Sequence, residues 1–132
     1  MKIRRPSSFK RQLDRLVEHA KAGDADAVLM ARYIHAQLEA LQEISAEPVE
    51  DSALIKRVRQ SGRYPVWRLS HAYDRRVAVR TICWFDPDTE EIVVALFAAD
   101  KASMGDVFYD SVGSRADRVI EEWKREKKGE AP

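Results

Sequence analysis

The sequence predicts an α+β fold in which a small antiparallel sheet of three to four strands packs against an N-terminal helical hairpin and a C-terminal helix. Apolar residues recur at helical spacing over about 8–44 and again over about 111–127. The stretch between them, about 63–98, is rich in β-branched and aromatic residues and has short connections, which favours antiparallel pairing of neighbouring strands. The 132 residues have the length of a single domain, spanning 1–132.

Two helices joined by a glycine-containing turn are predicted at the start of the chain. Phe9, Leu13 and Leu16 share one face of the first helix, and the second helix continues to about Ile44. We expect Gly23 to end the first helix, because glycine readily adopts the left-handed conformation found at helix ends. The candidate N-terminal caps are Ser7 or Ser8 for the first helix and Asp24 or Asp26 for the second.

Two shorter elements are also predicted. Residues 2–4 are a candidate edge strand. Residues 53–59 predict a short helix, with Leu54, Ile55 and Val58 facing inward and the intervening cations facing outward.

Three consecutive strands are predicted over 64–70, 76–85 and 91–98. Residues 86–89, Asp-Pro-Asp-Thr, predict a tight turn, because proline fixes φ and aspartate can bond to its own backbone. The third strand shows no alternation of apolar and polar residues. We therefore expect it to be covered on both faces and central in the sheet.

Alternation in the first two strands places cations on the sheet. Arg80 shares a face with Ile82 and Trp84, and Arg68 alternates with Trp67 and its neighbours. This pattern predicts a cationic platform on adjacent strands.

The last predicted element is a helix from about Ser111 or Ser114 to Lys127, preceded by a loop over 98–109. Ser114 with Asp117 resembles a capping box. The apolar stripe of this helix consists of Ala116, Val119, Ile120 and Trp123.

Composition excludes several classes of protein. No apolar run has the length needed to cross a bilayer, and the basic N-terminus lacks the apolar core of a secretory signal. Cys83 is the lone cysteine, so no disulfide framework exists, and its apolar strand favours a buried residue over a nucleophile. No His, Cys and carboxylate set has metal-ligand spacing. A cytoplasmic protein without a cofactor is the simplest interpretation.

The positive charge of the chain is concentrated in one segment. Residues 56–80 contain eight cations and one acid, a local net charge of +7 in a chain whose total is +1, so the remainder carries −6. A basic segment on a mildly acidic body is typical of a phosphate-binding surface. Docking of an acidic partner and a merely solvated face are the alternatives. The cations are Lys56, Arg57, Arg59, Arg63, Arg68, Arg75, Arg76 and Arg80.

The order of these elements, with arginine on consecutive strands, resembles the RelE/ParE superfamily of toxins, most clearly its HigB-like branch. In that branch a Trp-Arg strand leads to a second strand with arginine and aromatic residues, and then to an apolar strand that ends in a loop with lysines. Residues 66–69, 79–85 and 92–97, followed by Lys101, have this order. The apolar residues of the first helix also resemble the family pattern.

The resemblance implies a toxin of a type II toxin–antitoxin system that cleaves mRNA on the ribosome without a metal. Attack of a 2′-OH on the adjacent phosphate requires stabilisation of negative charge and transfer of two protons. In this interpretation Arg80 clamps the scissile phosphate with support from Arg68, and Lys101 neutralises charge or acts as an acid. Tyr109 would stack on a base or assist proton transfer, and His71 is a candidate general base.

Each assignment has a structural alternative. Arg68 and Arg80 could pair with carboxylates of the C-terminal helix, Tyr109 could close onto the sheet, and His71 could be a solvated turn residue. The other cations are expected to contact RNA phosphates and to add affinity without taking part in the chemistry. They are Lys56, Arg59, Arg63, Arg75 and Arg76.

The implied partners are mRNA, the ribosome and a cognate antitoxin, with no membrane. The antitoxin would cover the basic platform with an acidic amphipathic segment, in a toxin–antitoxin hetero-oligomer. Two other classes of function stay open: a non-enzymatic ParE-like toxin that blocks a protein target, and a phage-derived protein-binding module. RNA cleavage, capture of a topoisomerase, or neither result would distinguish the three.

Overall fold

The computed structural model describes residues 1–70, 77–100 and 107–130, with the side chains of 107–110 and 130 excepted. A short strand and two helices come first, four strands follow one another in the middle, and a long helix comes last. The elements are β1 (Lys2–Arg4), α1 (Ser7–Lys21), α2 (Ala25–Gln42), β2 (Ile55–Arg57), β3 (Trp67–Ser70), β4 (Val79–Phe85), β5 (Ile92–Asp100) and α3 (Val107–Glu130).

The predicted α+β fold is confirmed, with a sheet of five strands instead of three to four. The strand order is β1-β5-β4-β3-β2. All neighbours are antiparallel except β1 and β5, which are parallel. The extra strands are the two edges: the candidate edge strand at 2–4 forms, and a further strand replaces the predicted short helix.

The helix predicted over 53–59 is wrong, because this segment forms β2. Ile55 pairs with Leu69 of β3 and is buried beside it, so tertiary pairing overrides the local helical spacing. Asp51 and Ser52 do not cap a helix. Their side chains instead accept hydrogen bonds from the amides of Arg57 at 2.8 Å and Ile55 at 3.2 Å, the last and first residues of the strand.

The helical hairpin covers one face of the sheet and α3 covers the other. Phe9 of α1 and Ile34 of α2 pack with Val79 and Ala95, whereas Ile120 of α3 belongs to a cluster on the opposite face. The strand β5 is buried except at its two end residues, as its lack of alternation predicted. It pairs with β1 over Ile92, Val93 and Val94 only, and β4, not β5, takes the middle position of the sheet. Cys83 is buried, and burial raises the pKa of its thiol, which suits a core residue.

Of the predicted helix ends, those at Gly23 and Asp24 are confirmed and the one at the start of α1 is not. Asp24 caps α2 by accepting hydrogen bonds from the amides of Asp26 at 3.0 Å and Ala27 at 3.2 Å. Gly23 ends α1 with φ of 98°, a left-handed conformation that favours glycine. The prediction that Ser7 or Ser8 caps α1 is wrong, because Pro6 occupies the N-cap position.

Long-range carboxylates replace the missing cap of α1. The amide of Ser7 donates to Glu126 of α3 at 3.2 Å, and the amide of Ser8 donates to Glu122 at 3.0 Å. Burial raises the pKa of Glu126, but its hydrogen bonds with Ser7 outweigh this and hold that pKa below its ordinary value. Carboxylates of α3 therefore satisfy backbone amides in the first turn of α1.

The predicted loop over 98–109 is shorter than expected at both ends. The strand β5 continues to Asp100, whose side chain accepts a hydrogen bond from the amide of Ala78 at 3.0 Å. The helix α3 already begins at Val107, so Ser114 and Asp117 lie inside it and form no capping box. Asp117 instead bonds to the connection between β2 and β3.

Candidate nucleic-acid interface

Cations project from consecutive strands on the face of the sheet that carries α3. Lys56 of β2 lies directly opposite Arg68 of β3, and Arg68 lies opposite Ile82 of β4. Arg80 precedes Ile82 by two residues and is therefore a diagonal neighbour of Arg68 on the same face. Ile82 packs in the α3-side cluster, which identifies the face. Lys56, Arg68 and Arg80 therefore lie on one face of three consecutive strands.

Lys56 and Arg68 place two positive charges directly opposite one another in an antiparallel pair. Like charges directly opposite one another in an antiparallel pair are destabilising. Lys56 is exposed and Arg68 is half-buried, so water screens the first better than the second. An anion bound between them would remove this repulsion.

Two adjoining grooves, of about 430 and about 510 Å³, open beside β2 and the connection that follows it. Asp51 is the acidic residue that lines both, and its carboxylate already accepts a hydrogen bond from the Arg57 amide. The remaining charged side chains are all cationic, and we refer to them together as the β2–β3 basic surface: Lys56, Arg57, Arg59, Arg63 and Arg68.

Close backbone contacts fix the connection between β2 and β3 against α3. A Cβ atom on Gly113 would lie 2.2 Å from the carbonyl oxygen of Gln60, and one on Gly62 would lie 2.2 Å from Asp117. The Asp117 carboxylate accepts hydrogen bonds from the amides of Arg63 at 2.8 Å and Tyr64 at 3.2 Å. The basic surface is therefore built on a segment that is held at several points.

A second network partly neutralises one end of this surface. The Tyr64 hydroxyl donates a hydrogen bond to Glu121 and accepts one from Lys124 at 3.0 Å. The bond from Tyr64 lowers the pKa of Glu121, and the bond to the Tyr64 hydroxyl raises the pKa of Lys124. The Arg63 guanidinium lies 3.6 Å from Glu121. Glu121 therefore partly neutralises the Arg63 end of the basic surface, and the net positive charge is greater at the β2 end.

The structure brings together part of the predicted site. Lys56 and Arg68 line the groove of about 430 Å³, Arg63 lines the groove of about 510 Å³, and Arg59 lines both. Arg80 shares the face of Arg68, and its guanidinium donates to the neighbouring carbonyl of Val79 at 3.2 Å.

Other predicted site residues lie outside the described part of the chain. This group comprises His71, Arg75, Arg76 and Lys101. Tyr109 belongs to the first turn of α3 instead of a loop, and its side chain is also outside the description. The proton-transfer groups proposed from the resemblance therefore stay predictions.

The prediction of RNA contacts missed Arg57, which lines both grooves. Its guanidinium lies 5.6 Å from the ring centroid of Trp67, opposite it on β3, a cation–π distance. The Trp67 indole in turn donates to Glu47 at 3.0 Å. Period-two alternation over 55–57 was the signal available, and the helical interpretation of 53–59 concealed it.

Two features are absent from the described residues, a cluster of metal-ligating side chains and a membrane-spanning helix. Among them, no group of three or more His, Cys, Asp or Glu side chains is arranged to hold a metal ion. Within the same part of the chain, no helix has the length and apolar character to span a membrane.

Comparison with known proteins finds no matching family model, no matching curated protein and no matching solved structure. The likeness to RelE/ParE toxins accordingly rests on the sequence motifs and on the order of elements.

Proposed function

We propose that the protein is the toxin of a type II toxin–antitoxin system and that it binds and cleaves mRNA on the ribosome. The observation that carries this proposal is the row of cations on consecutive strands, in which Lys56, Arg68 and Arg80 share one face. The adjoining basic surface supplies further contacts for an RNA backbone, and these are phosphate contacts that add affinity without reading sequence.

The proposed reaction needs no group that the chain lacks. The 2′-oxygen attacks the adjacent phosphorus, the bond from phosphorus to the 5′-oxygen breaks, and the products carry a 2′,3′-cyclic phosphate and a 5′-hydroxyl. Arg80 and Arg68 stabilise the extra negative charge on the phosphorane through charge-assisted hydrogen bonds. His71, Lys101 and Tyr109 are the candidates for removing the proton from the 2′-hydroxyl and delivering one to the leaving oxygen.

Half-burial of the two arginines supports this division of labour. Arg68 and Arg80 are intermediate in exposure, whereas Lys56, Arg57, Arg59 and Arg63 are exposed. Charge-assisted contacts gain strength where water is excluded, which supports assigning the two half-buried arginines to the reacting phosphate. The exposed cations are placed for screened, salt-sensitive contacts along the strand.

The test is cleavage of an mRNA by the purified protein, with and without programmed ribosomes. We expect cleavage only with ribosomes, and its loss in Arg80→Ala by at least a hundredfold. Arg32→Ala is the matched control, because Arg32 is an exposed arginine on α2, the helix on the other side of the sheet. Circular dichroism melting should show both variants folded. Undiminished cleavage by Arg80→Ala would remove this residue from the mechanism.

A protein-binding function is the second candidate, and one observation favours it. Val49 is 99% exposed and Leu54 is 38% exposed, both in the segment that leads into β2. Exposed apolar side chains suit a docked protein better than an RNA backbone. Absence of RNA binding at low salt, combined with capture of a topoisomerase, would support the ParE-like alternative over the nuclease.

A further inference from the structure

A cleft of about 310 Å³ opens between the first turns of α1, the strand β5 and the middle of α3. It shares no residue with the β2–β3 basic surface. Its charged residues, Arg115, Arg118, Glu122 and Arg125, are three, four and three positions apart on α3. That spacing places them on one stripe of the helix, facing the cleft.

Arg115 is oriented by an aromatic contact instead of by a carboxylate. Its guanidinium carbon lies 4.1 Å from the ring centroid of Phe97, and the side chain is half-buried. In the described part of the chain no acidic side chain forms an ion pair with it. Burial and the neighbouring Arg118 lower the pKa of Arg115. An arginine that contacts an aromatic ring in this way can still use its guanidinium N–H groups to bind an anion.

The acidic residue of the cleft is already engaged. Glu122 accepts a hydrogen bond from the amide of Ser8 at 3.0 Å, at the positive end of the α1 dipole. The three arginines therefore outnumber the carboxylate in a cleft whose carboxylate serves the fold.

A buried hydroxyl adds a further donor at the same place. Ser8 is one of the residues that line the cleft, and its Oγ atom is buried and has no hydrogen-bond partner among the described residues. A buried hydroxyl without a partner is unfavourable, and an anion accepting from it would remove that cost.

We propose that this cleft binds the phosphate group of a small phosphorylated molecule. Arg115 provides the oriented, bidentate contact, Ser8 provides a hydroxyl donor, and Arg118 and Arg125 provide attraction at the rim. The volume is at the lower end of the range for small-molecule sites, which fits a nucleotide-sized ligand or free phosphate and not a folded partner. The proposal does not depend on the RNA-cleaving function, because the two surfaces share no side chain.

The experiment is a calorimetric titration of the full-length protein with inorganic phosphate and, separately, with adenosine monophosphate. Amide chemical shifts recorded by NMR would locate the binding. We expect shifts at Ser7, Ser8 and Gln12, and affinity at least tenfold weaker in both Arg115→Gln and Arg115→Lys, because lysine lacks the planar fork. Arg32→Gln is the charge-matched control and should bind as the unaltered protein does. Tighter binding of the nucleotide than of phosphate would identify a phosphomonoester as the ligand, and equal affinity would assign the site to phosphate alone.

The exposed Arg118 gives a variant whose folding is not at issue. Arg118→Gln should weaken binding about threefold or more, since it removes attraction at the rim without touching the Phe97 stack. Binding unchanged in the Arg115 and Arg118 variants, or shifts confined to the β2–β3 basic surface, would overturn the proposal.

Discussion

The two edges of the sheet are three-residue strands of the same composition, Lys-Ile-Arg in β1 and Ile-Lys-Arg in β2. In β1 the cations lie opposite Ile92 and Val94, so neither meets a like charge across the pair. In β2 the central Lys56 lies opposite Arg68. The same three residues stand in a different order in the two strands and pair with different neighbours. As a result, β1 serves the fold, whereas β2 concentrates positive charge.

The β1 edge is closed by contacts from both ends of the helical hairpin. The Met1 ammonium donates to the carbonyls of Gln42 and Ile44, both at 2.8 Å. Beyond the three paired residues of β1, the Gln12 side chain takes over, with its amide donating to the Ala98 carbonyl and its oxygen accepting from the Ala98 amide at 3.1 Å. A side chain thus replaces a missing neighbour strand and prevents an open edge.

The largest effect on the difference between the two edges is expected from adding a methyl group at Gly113, which should destabilise the β2 edge. Gly113→Ala places a Cβ atom against the Gln60 carbonyl, a backbone atom that cannot rotate away, and separates the β2–β3 connection from α3. We expect a loss of roughly 3 kcal/mol in the free energy of unfolding, at the upper end for overpacking. Urea denaturation measures it.

Gly129→Ala in the same helix is the matched control, because nothing lies within 4 Å of its added Cβ. Alanine is the better helix former, so this variant should match or slightly exceed the unaltered protein. Equal stability of the two variants would show that the connection does not depend on this close approach.

A smaller effect is expected from opening the β1 edge. Gln12→Ala removes both hydrogen bonds with the Ala98 backbone and should cost about 1.5 kcal/mol, since partly buried backbone groups lose their partners. Amide hydrogen exchange at Ala98 should accelerate. Arg11→Ala, an exposed neighbour on α1, is the control. Unaltered protection of Ala98 in Gln12→Ala would mean that the edge is closed by other groups.

The smallest expected change in stability is an increase in the free energy of unfolding, whereas the larger changes above are losses. Lys56→Thr removes the like-charge pair with Arg68 and should raise the free energy of unfolding by about 0.5 kcal/mol. The same variant should weaken RNA binding and reduce the slope of log K against log salt by about 0.7, the value for one phosphate contact on a single strand.

Lys2→Thr, on the other edge, tests whether that gain is specific. Lys2 lies opposite an apolar residue, so its removal should neither stabilise the fold nor alter the salt dependence. A gain of equal size from both variants would point to general surface repulsion and would remove the distinction between the two edges.

Local sequence patterns predicted those parts of the fold that depend on local chemistry. The cap at Asp24 and the left-handed Gly23 follow from residue type, and the shared face of Ile82 and Trp84 on β4 follows from period-two alternation. The same reasoning failed at 53–59, because helical and strand spacing are hard to distinguish over so few residues. The pairing partner at Leu69, distant in sequence, decided the outcome.

The parts of the candidate sites that sequence did not predict are those made by distant contacts. Arg115 belongs by its spacing to an ordinary solvated helix face, and its stacking on Phe97 depends on where α3 crosses β5. Gly113 sits inside a helix, where it would normally be unfavourable, and only the approach of Gln60 explains it. Neither relation leaves a periodic signal along the chain.

The carboxylate cap of α1 has a consequence for synthesis. The bond from the Ser7 amide to Glu126 joins residues 119 positions apart, and β1 pairs with β5 over nearly as great a distance. A nascent chain that has emerged only as far as β4 has neither partner, so its first helix begins with free amides and its first strand has no neighbour. Pairing of β1 therefore has to wait for the translating ribosome to deliver β5, and capping of the first helix has to wait for the final helix.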